Sequence, residues 1–279
     1  MNAIEIRGLC KSYPGFSLEN INLTLPSGCI MGLIGENGAG KSTTIKLILD
    51  MLRRDSGTIT VLGRDSLEGA PVREDIGVVL DEVGFPDCLT ARQVNRIMGY
   101  TYQNWSDDVF RSYLRKLSLP EGKPFKDFSR GMKMKLGIAV ALSHAPKLLI
   151  LDEATSGLDP VVRDEVVELF GEFTRDESRA VLISSHIVSD LEKICDYIAF
   201  LHKGKLLLCE EKDLLLEQYG MIHCTPAQLA GIPPQAVRGR KESPYGAEAI
   251  VRRSAIPAGI PISPISIEEL FVFMVKEAK

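Results

Sequence analysis

Apolar runs of strand length recur along the chain at residues 3–6, 18–25, 29–34, 58–62, 76–80, 147–151, 180–184 and 197–202. Between them the period lengthens to that of helices, which predicts an α/β fold. The stretch from Thr90 to Leu119 breaks this alternation: Thr90 and Ser106 read as the N-caps of two consecutive helices with no strand between, a helical insertion in the α/β body. Another helix follows Ser129, with Met132, Leu136, Ala139, Val140 and Ser143 on one face, and it stops at "HAP". From about residue 221 the chain turns Pro- and Gly-rich, and "SIEELFVFMVKEA" closes it as an amphipathic helix capped by Ser266. The change places a boundary near 215, giving a body over 1–214, with its helical part at about 89–145, and an extension over 215–279. There is no long internal repeat and no low-complexity tract.

Composition narrows the class. With 45% hydrophobic and 25% charged residues in 279, the chain can bury a sizeable core. Its first residues, "MNAIEIRGLC", lack a basic stretch followed by an apolar one, and no run reaches the ~20 apolar residues that span a bilayer, so the expectation is a soluble, cytosolic protein. Six cysteines include no CxxC pair, and the four histidines complete no metal-ligand pattern, which favours reduced structural thiols. A net charge of −4 and a pI near 5.7 disfavour nucleic acid as a partner.

Chemistry enters after the strand "CIMGLI". The next residues, "GENGAGKST" (35–43), match GxxxxGK[ST] and run directly into the helical "TTIKLILDML". Strand, glycine loop and helix together make a polyphosphate cradle. Gly35, Gly38 and Gly40 let backbone amides turn inwards, with Asn37, Ala39 and Thr43 completing the loop; the helix start adds its dipole, Lys41 brings charge to the β and γ phosphates, and Ser42 can ligate Mg²⁺. Such a site also needs a carboxylate on a neighbouring buried strand for the metal and a group to orient the attacking water. The tripeptide LDE supplies both and occurs twice, in "IGVVLDE" (76–82) and "KLLILDE" (147–153). The second is followed by "ATSGLDP", a turn with a further acid before Pro160 starts a helix; the first runs into the helical insertion. Asp152 for the metal and Glu153 for the water is therefore the favoured pair.

In this order the motifs resemble the nucleotide-binding subunits of ATP-binding-cassette (ABC) transporters, over about the first 210 residues: "KSY" with Tyr13, the glycine loop, "FSRGMK" as signature sequence, "LLILDE", "SGLD" and "SSH" with His186. The resemblance implies a P-loop NTPase with a RecA-like core sheet, an antiparallel β subdomain and a helical insertion, here followed by a small α+β extension. It further implies binding and hydrolysis of Mg·ATP and a head-to-tail dimer with a second ATP-binding subunit, identical or not. A separate membrane permease would dock on the helical part, with the protein peripheral on the inner face of the cell membrane. Tyr13 would stack on adenine, Ser129, Gly131 and Asp159 would meet nucleotide, and His186, with Glu153 and Lys41, would act in hydrolysis. The ending "SPISIEELF" is similar to tails of drug- and antibiotic-export ATPases.

Spacing supports the dimer separately. The helix from about Gly131 to His144 parts the signature from the Asp152 strand by roughly 20 Å at 1.5 Å per residue, too far for one chain to bring both to one phosphate. Ser129 and the amides near Gly131 form an anion site that a two-fold partner can use. The chain departs from the family pattern twice. Its signature carries Phe128, Arg130 and Met132 where Leu, Gly and Gln are commonest, and Asp81 stands where most members have a glutamine that contacts Mg²⁺. An aspartate can still ligate a hard cation. Two rivals remain: a soluble ABC machine acting on a macromolecule, which would favour paired cassettes or a basic face, and a P-loop kinase, which leaves "FSRGMK" and "SSH" unexplained.

Overall fold

The computed structural model describes residues 1–66, 73–81, 83–156, 158–243, 246–257 and 259–277. Strands β1 (Asn2–Tyr13) and β2 (Phe16–Pro26) form a hairpin, and β3 (Ile30–Ile34) feeds the glycine loop and helix α1 (Lys41–Ile48). Strands β4 (Ser56–Val61) and β5 (Arg64–Asp65) complete an antiparallel sheet in the order β2-β1-β4-β5. After β6 (Ile76–Val79) come the helices α2 (Ala91–Thr101), α3 (Asp107–Lys116) and α4 (Arg130–Leu142). The chain then alternates β7 (Leu148–Asp152), α5 (Pro160–Phe173), β8 (Ala180–Ser185), α6 (Val188–Ile194), β9 (Tyr197–His202) and β10 (Lys205–Glu211). The main sheet has the order β10-β9-β3-β8-β7-β6, parallel except for β10. It is covered on both faces, so β3, β7 and β8 are buried at every position and read as unbroken apolar runs.

The C-terminal part holds α7 (Lys212–Gln218), β11 (Tyr219–Cys224), α8 (Pro226–Ala230), β12 (Val237–Ser243), β13 (Gly246–Arg252) and α9 (Ile267–Glu277), with an antiparallel sheet in the order β11-β13-β12. One apolar core runs from beneath the helical insertion into this part, where Phe271 of α9 meets Phe200 of β9 edge-on, ring centroids 5.1 Å apart. A second core fills the space between the antiparallel sheet and the main one.

The helix starts follow their caps. Thr90 accepts from Gln93 N in a reciprocal capping box, and Ser106 Oγ accepts from Val109 N. Ser266 Oγ accepts from Glu269 N at 3.1 Å while Glu269 reaches back to Ser266 N at 2.8 Å. Helix α4 departs from the one-faced reading. It is buried continuously from Met134 to Leu142, because β6 lies on one side of it and α2 and α3 on the other. Strands β10 to β13 lie outside the runs read as strands: β10 is half-exposed along most of its length, and β12, "VRGRKES", carries four charges and one apolar residue. The short strand over 3–6 proves to be the N-terminal end of a longer one, whose far end places Tyr13.

Candidate functional site

The glycine loop crosses the carboxyl end of β3 and closes on α1. Gly40 has φ 110°, and a Cβ there would stand 2.6 Å from Leu18 and 2.9 Å from Phe16, so conformation and space both require glycine. Lys41, only 5% exposed, donates to Gly35 O at 2.7 Å and lies 3.1 Å from Glu153 Oε1. The loop residues Glu36, Asn37, Gly38, Gly40, Lys41, Ser42 and Thr43 line a cleft with Gly15, Phe16, Asp81 and Glu153. A second cleft shares Gly15, Phe16 and Gly38 with it and adds Ser12, Tyr13, Ser17 and Lys203. Together they make an elongated seat, phosphate-binding at one end and aromatic at the other. Ala39 is buried beneath the loop, its carbonyl accepting from Gly204 N at 3.0 Å.

Gly204, in the β9–β10 turn, ties the glycine loop to β2. Its amide holds the glycine loop, its carbonyl accepts from Glu19 N at 2.9 Å, and a Cβ would stand 1.7 Å from Ser17 O. No other residue fits there.

The two LDE sequences end differently. Strand β7 lies between β6 and β8 with Asp152 level with Ser184, whose Oγ donates to Asp152 Oδ1 at 2.6 Å and accepts from Glu153 N at 3.1 Å. Glu153 adopts φ 53°, an uncommon conformation for a residue with a Cβ, held by that amide bond. Its carboxylate spans Lys41 and His186: Oε2 lies 2.7 Å from His186 Nδ1. Asp81 instead lies at the rim, more than half exposed, 3.3 Å from Arg130 Nη2. Glu82 lies outside the described residues.

The other expected site residues are placed elsewhere. Tyr13 is 39% exposed, with Lys11 Nζ 5.5 Å from its ring centroid. Ser129 caps α4, accepting from Met132 N at 3.2 Å, and Gly131 faces Leu158 and Val162. Asp159 caps α5 through Val161 N and Val162 N, its carboxylate turned to its own helix. None of Ser129, Gly131 and Asp159 lines the phosphate cleft. Gly157, in the same turn as Asp159, lies outside the described residues.

Sequence reading missed three groups. Phe16 is shared by both clefts, although an aromatic three residues after Tyr13 was signal enough. Ser184, the first serine of "SSH", holds Asp152. The Asp81–Arg130 pair joins the two departures from the family pattern, and their opposite charges were visible in the sequence. The cysteines are all free, and burial pushes the thiols of Cys29, Cys195 and Cys209 up, keeping them protonated.

A glycine loop between a buried strand and a helix, its lysine facing a carboxylate from a strand two places along the sheet, defines a P-loop nucleotide hydrolase. Comparison with known proteins narrows this. Residues 18–156 match the family described as ABC transporter. The chain is 38% identical over 213 residues to the lantibiotic transport ATP-binding protein SrtF of Streptococcus pyogenes, covering 75% of this chain and 91% of that one. It is likewise 38% identical over 210 residues to the bacitracin transport ATP-binding protein BcrA of Bacillus licheniformis, covering 73% and 68%. Among solved structures, an ATP-binding subunit of an ABC transporter superposes with a TM-score of 0.70 at 28% identity, over 77% of this chain and 92% of that one. A dimeric ATP-binding cassette with ADP and Pi shares the fold at a TM-score of 0.68 and 20% identity, over 75% and 98%. The chain belongs to the ABC transporter family: it is an ATP-binding subunit and an ATPase.

Proposed function

We propose that this chain hydrolyses Mg·ATP at sites shared between two ATP-binding subunits and so drives export through a separate membrane permease. The observation that carries the chemistry is Glu153, held between Lys41 and His186 at the carboxyl edge of the main sheet. In this reading the phosphates occupy the cleft around Lys41, contacted by Asn37, Gly38, Gly40, Ser42 and Thr43, with Gly35 and Ala39 supporting the loop from beneath, and the base reaches Tyr13 and Phe16. Glu153 orients water, with His186 fixing its carboxylate and facing the γ-phosphate. Lys41 neutralises charge that grows on the transferred phosphoryl group.

Ser42, Asp152 and Asp81 offer oxygen donors only, which suits a small hard cation, and Ser184 fixes the Asp152 carboxylate. These are the residues that would hold Mg²⁺, which supplies charge neutralisation between the phosphates when bound.

The dimer reading rests on Ser129, Gly131 and Asp159, which stay outside their own chain's phosphate cleft. Val161, beside Asp159, is 69% exposed, an apolar residue suited to an interface. The permease reading rests on a groove of about 630 Å³ between the Asp81 segment and the helical insertion, floored by Phe85, Phe125 and Phe128 and rimmed by Asp81, Asp87, Arg130 and Lys133. No helix among the described residues is long and apolar enough to cross a membrane, and in this proposal a separate permease holds the chain on the inner face. We keep 1–214 as the ATPase domain, with the helical part at about 89–145, and 215–279 as an extension. The names of the relatives suggest an antimicrobial cargo such as a lantibiotic or bacitracin.

Purification of the tagged chain from gently solubilised membranes tests this. A polytopic protein should accompany it and raise its ATPase rate. Recovery from the soluble fraction, bound instead to ribosomes or nucleic acid, would favour a non-transport ABC ATPase.

A further inference from the structure

Among the described residues, Asp81 is the one that lines both the phosphate cleft and the phenylalanine-floored groove. In this structure it pairs with Arg130, the first residue of α4 and the neighbour of Ser129. The pair is one end of a longer seam. A Cβ on Gly137 would stand 2.9 Å from a Val83 methyl, so the segment after Asp81 lies directly against the middle of α4. At the far end of the helix, His144 Nε2 lies 3.2 Å from Ile76 O, at the start of β6. Of these three joints, one is an apolar contact and one a hydrogen bond between the buried His144 ring and a backbone carbonyl, so neither is an ion pair. The third is an exposed ion pair, which other ions can exchange.

We infer that Arg130 is a positioning residue for Asp81. Arg130 and Mg²⁺ compete for the same carboxylate, so entry of Mg·nucleotide frees Arg130 and the start of α4 to face a second subunit. The inference rests on the reading of Asp81 as part of the Mg²⁺ shell. It also links Asp81 with one of the signature departures: Arg130 pairs with the acid at position 81, which is screened until the metal arrives. Competition is reciprocal. If Mg²⁺ weakens the pair, removal of Arg130 strengthens Mg²⁺ binding by the same factor.

The test uses the full-length chain and two readouts: the Mg²⁺ concentration giving half-maximal ATPase, and the Mg²⁺ dependence of ADP binding followed by calorimetry. Arg130→Ala should lower both half-saturation concentrations by about two- to fivefold, the range an exposed ion pair supports. Arg130→Lys should restore most of the wild-type value. Asp81→Asn should raise both, and adding Arg130→Ala to Asp81→Asn should then change nothing further. A purely structural role for Arg130 would alter the maximal rate and leave the Mg²⁺ dependence where it was, which would overturn the inference. So would an equal effect of Arg130→Ala with and without Asp81. If instead Asp81→Asn leaves Mg²⁺ dependence unmoved, the reading of Asp81 in the metal shell fails first and the inference falls with it. If Asp81→Asn shifts it and Arg130→Ala does not, the metal reading stands and only the pairing is wrong.

Discussion

Lys41 Nζ and Glu153 Oε1 stand 3.1 Å apart, both side chains largely buried, so the cation of the glycine loop and the carboxylate of β7 neutralise each other. A polyphosphate entering the cleft competes with Glu153 for that ammonium. In the proposed reading, the displacement that seats the γ-phosphate would release the carboxylate towards water, with His186 still beside it.

Lys41→Ala should abolish most nucleotide binding, because the ammonium would lie against the most highly charged part of the ligand. Equilibrium binding of Mg·ATP to the purified chain measures it. Unchanged affinity would contradict the assignment of the loop.

Glu153→Gln should accumulate as a dimer in Mg·ATP, since closure needs nucleotide while hydrolysis needs the carboxylate. Light scattering reads the mass. Adding Ser129→Arg should prevent dimer formation by placing bulk at the start of α4, where the second subunit's nucleotide is expected. A Glu153→Gln chain that stays monomeric at saturating ATP, and still turns it over, would count against shared sites.

The two LDE sequences should respond differently. Glu153→Gln should lower kcat by about 10²-fold or more with nucleotide still bound, the usual loss for a positioned catalytic group. Asp81→Asn should keep substantial hydrolysis, demand more Mg²⁺ and weaken stimulation by the permease. Steady-state rates across a Mg²⁺ series decide between them. Should Asp81 prove essential and Glu153 dispensable, the assignments are reversed.

His144 gives stability a pH dependence. It is fully buried and stacked on Tyr102, ring centroids 4.0 Å apart. Burial lowers its pKa from the ordinary 6.5, outweighing Ile76 O, Glu74 and Asp75, which favour the charged form. The unfolded chain therefore takes up a proton that the native chain refuses, and stability falls as pH drops below about 6.5, by at most about 1.4 kcal/mol per pH unit from this group. Thermal melts of the wild type and His144→Gln from pH 7.5 to 5 should show a shallower slope for the variant. Parallel slopes would assign the acid sensitivity to other groups.

Much of the site was legible because its chemistry is local in sequence: nine consecutive residues make the loop, and LLILDE needs only a buried strand to deliver two acids. What escaped depends on contacts between distant segments. Ser184 meets Asp152 only because β8 lies beside β7 in register, and Phe16 joins the cleft only because the β1–β2 hairpin folds over the loop. Two of the strands after residue 203, β10 and β12, escaped for another reason: each lies at the edge of its sheet. On edges and half-exposed faces polar residues are allowed, and the alternation that marks a strand fades.

Gly204 anchors the glycine loop with its amide and the Phe16 strand with its carbonyl. In the proposed reading, the jaws that would grip the two ends of a nucleotide are thereby set at a fixed gauge, as in a calliper whose screw is locked. Such a tool measures length: a base without its phosphates, or phosphates without a base, fills one jaw and leaves the other open. On that reading, preference for a whole nucleotide would depend on a two-residue turn whose glycine lines neither cleft.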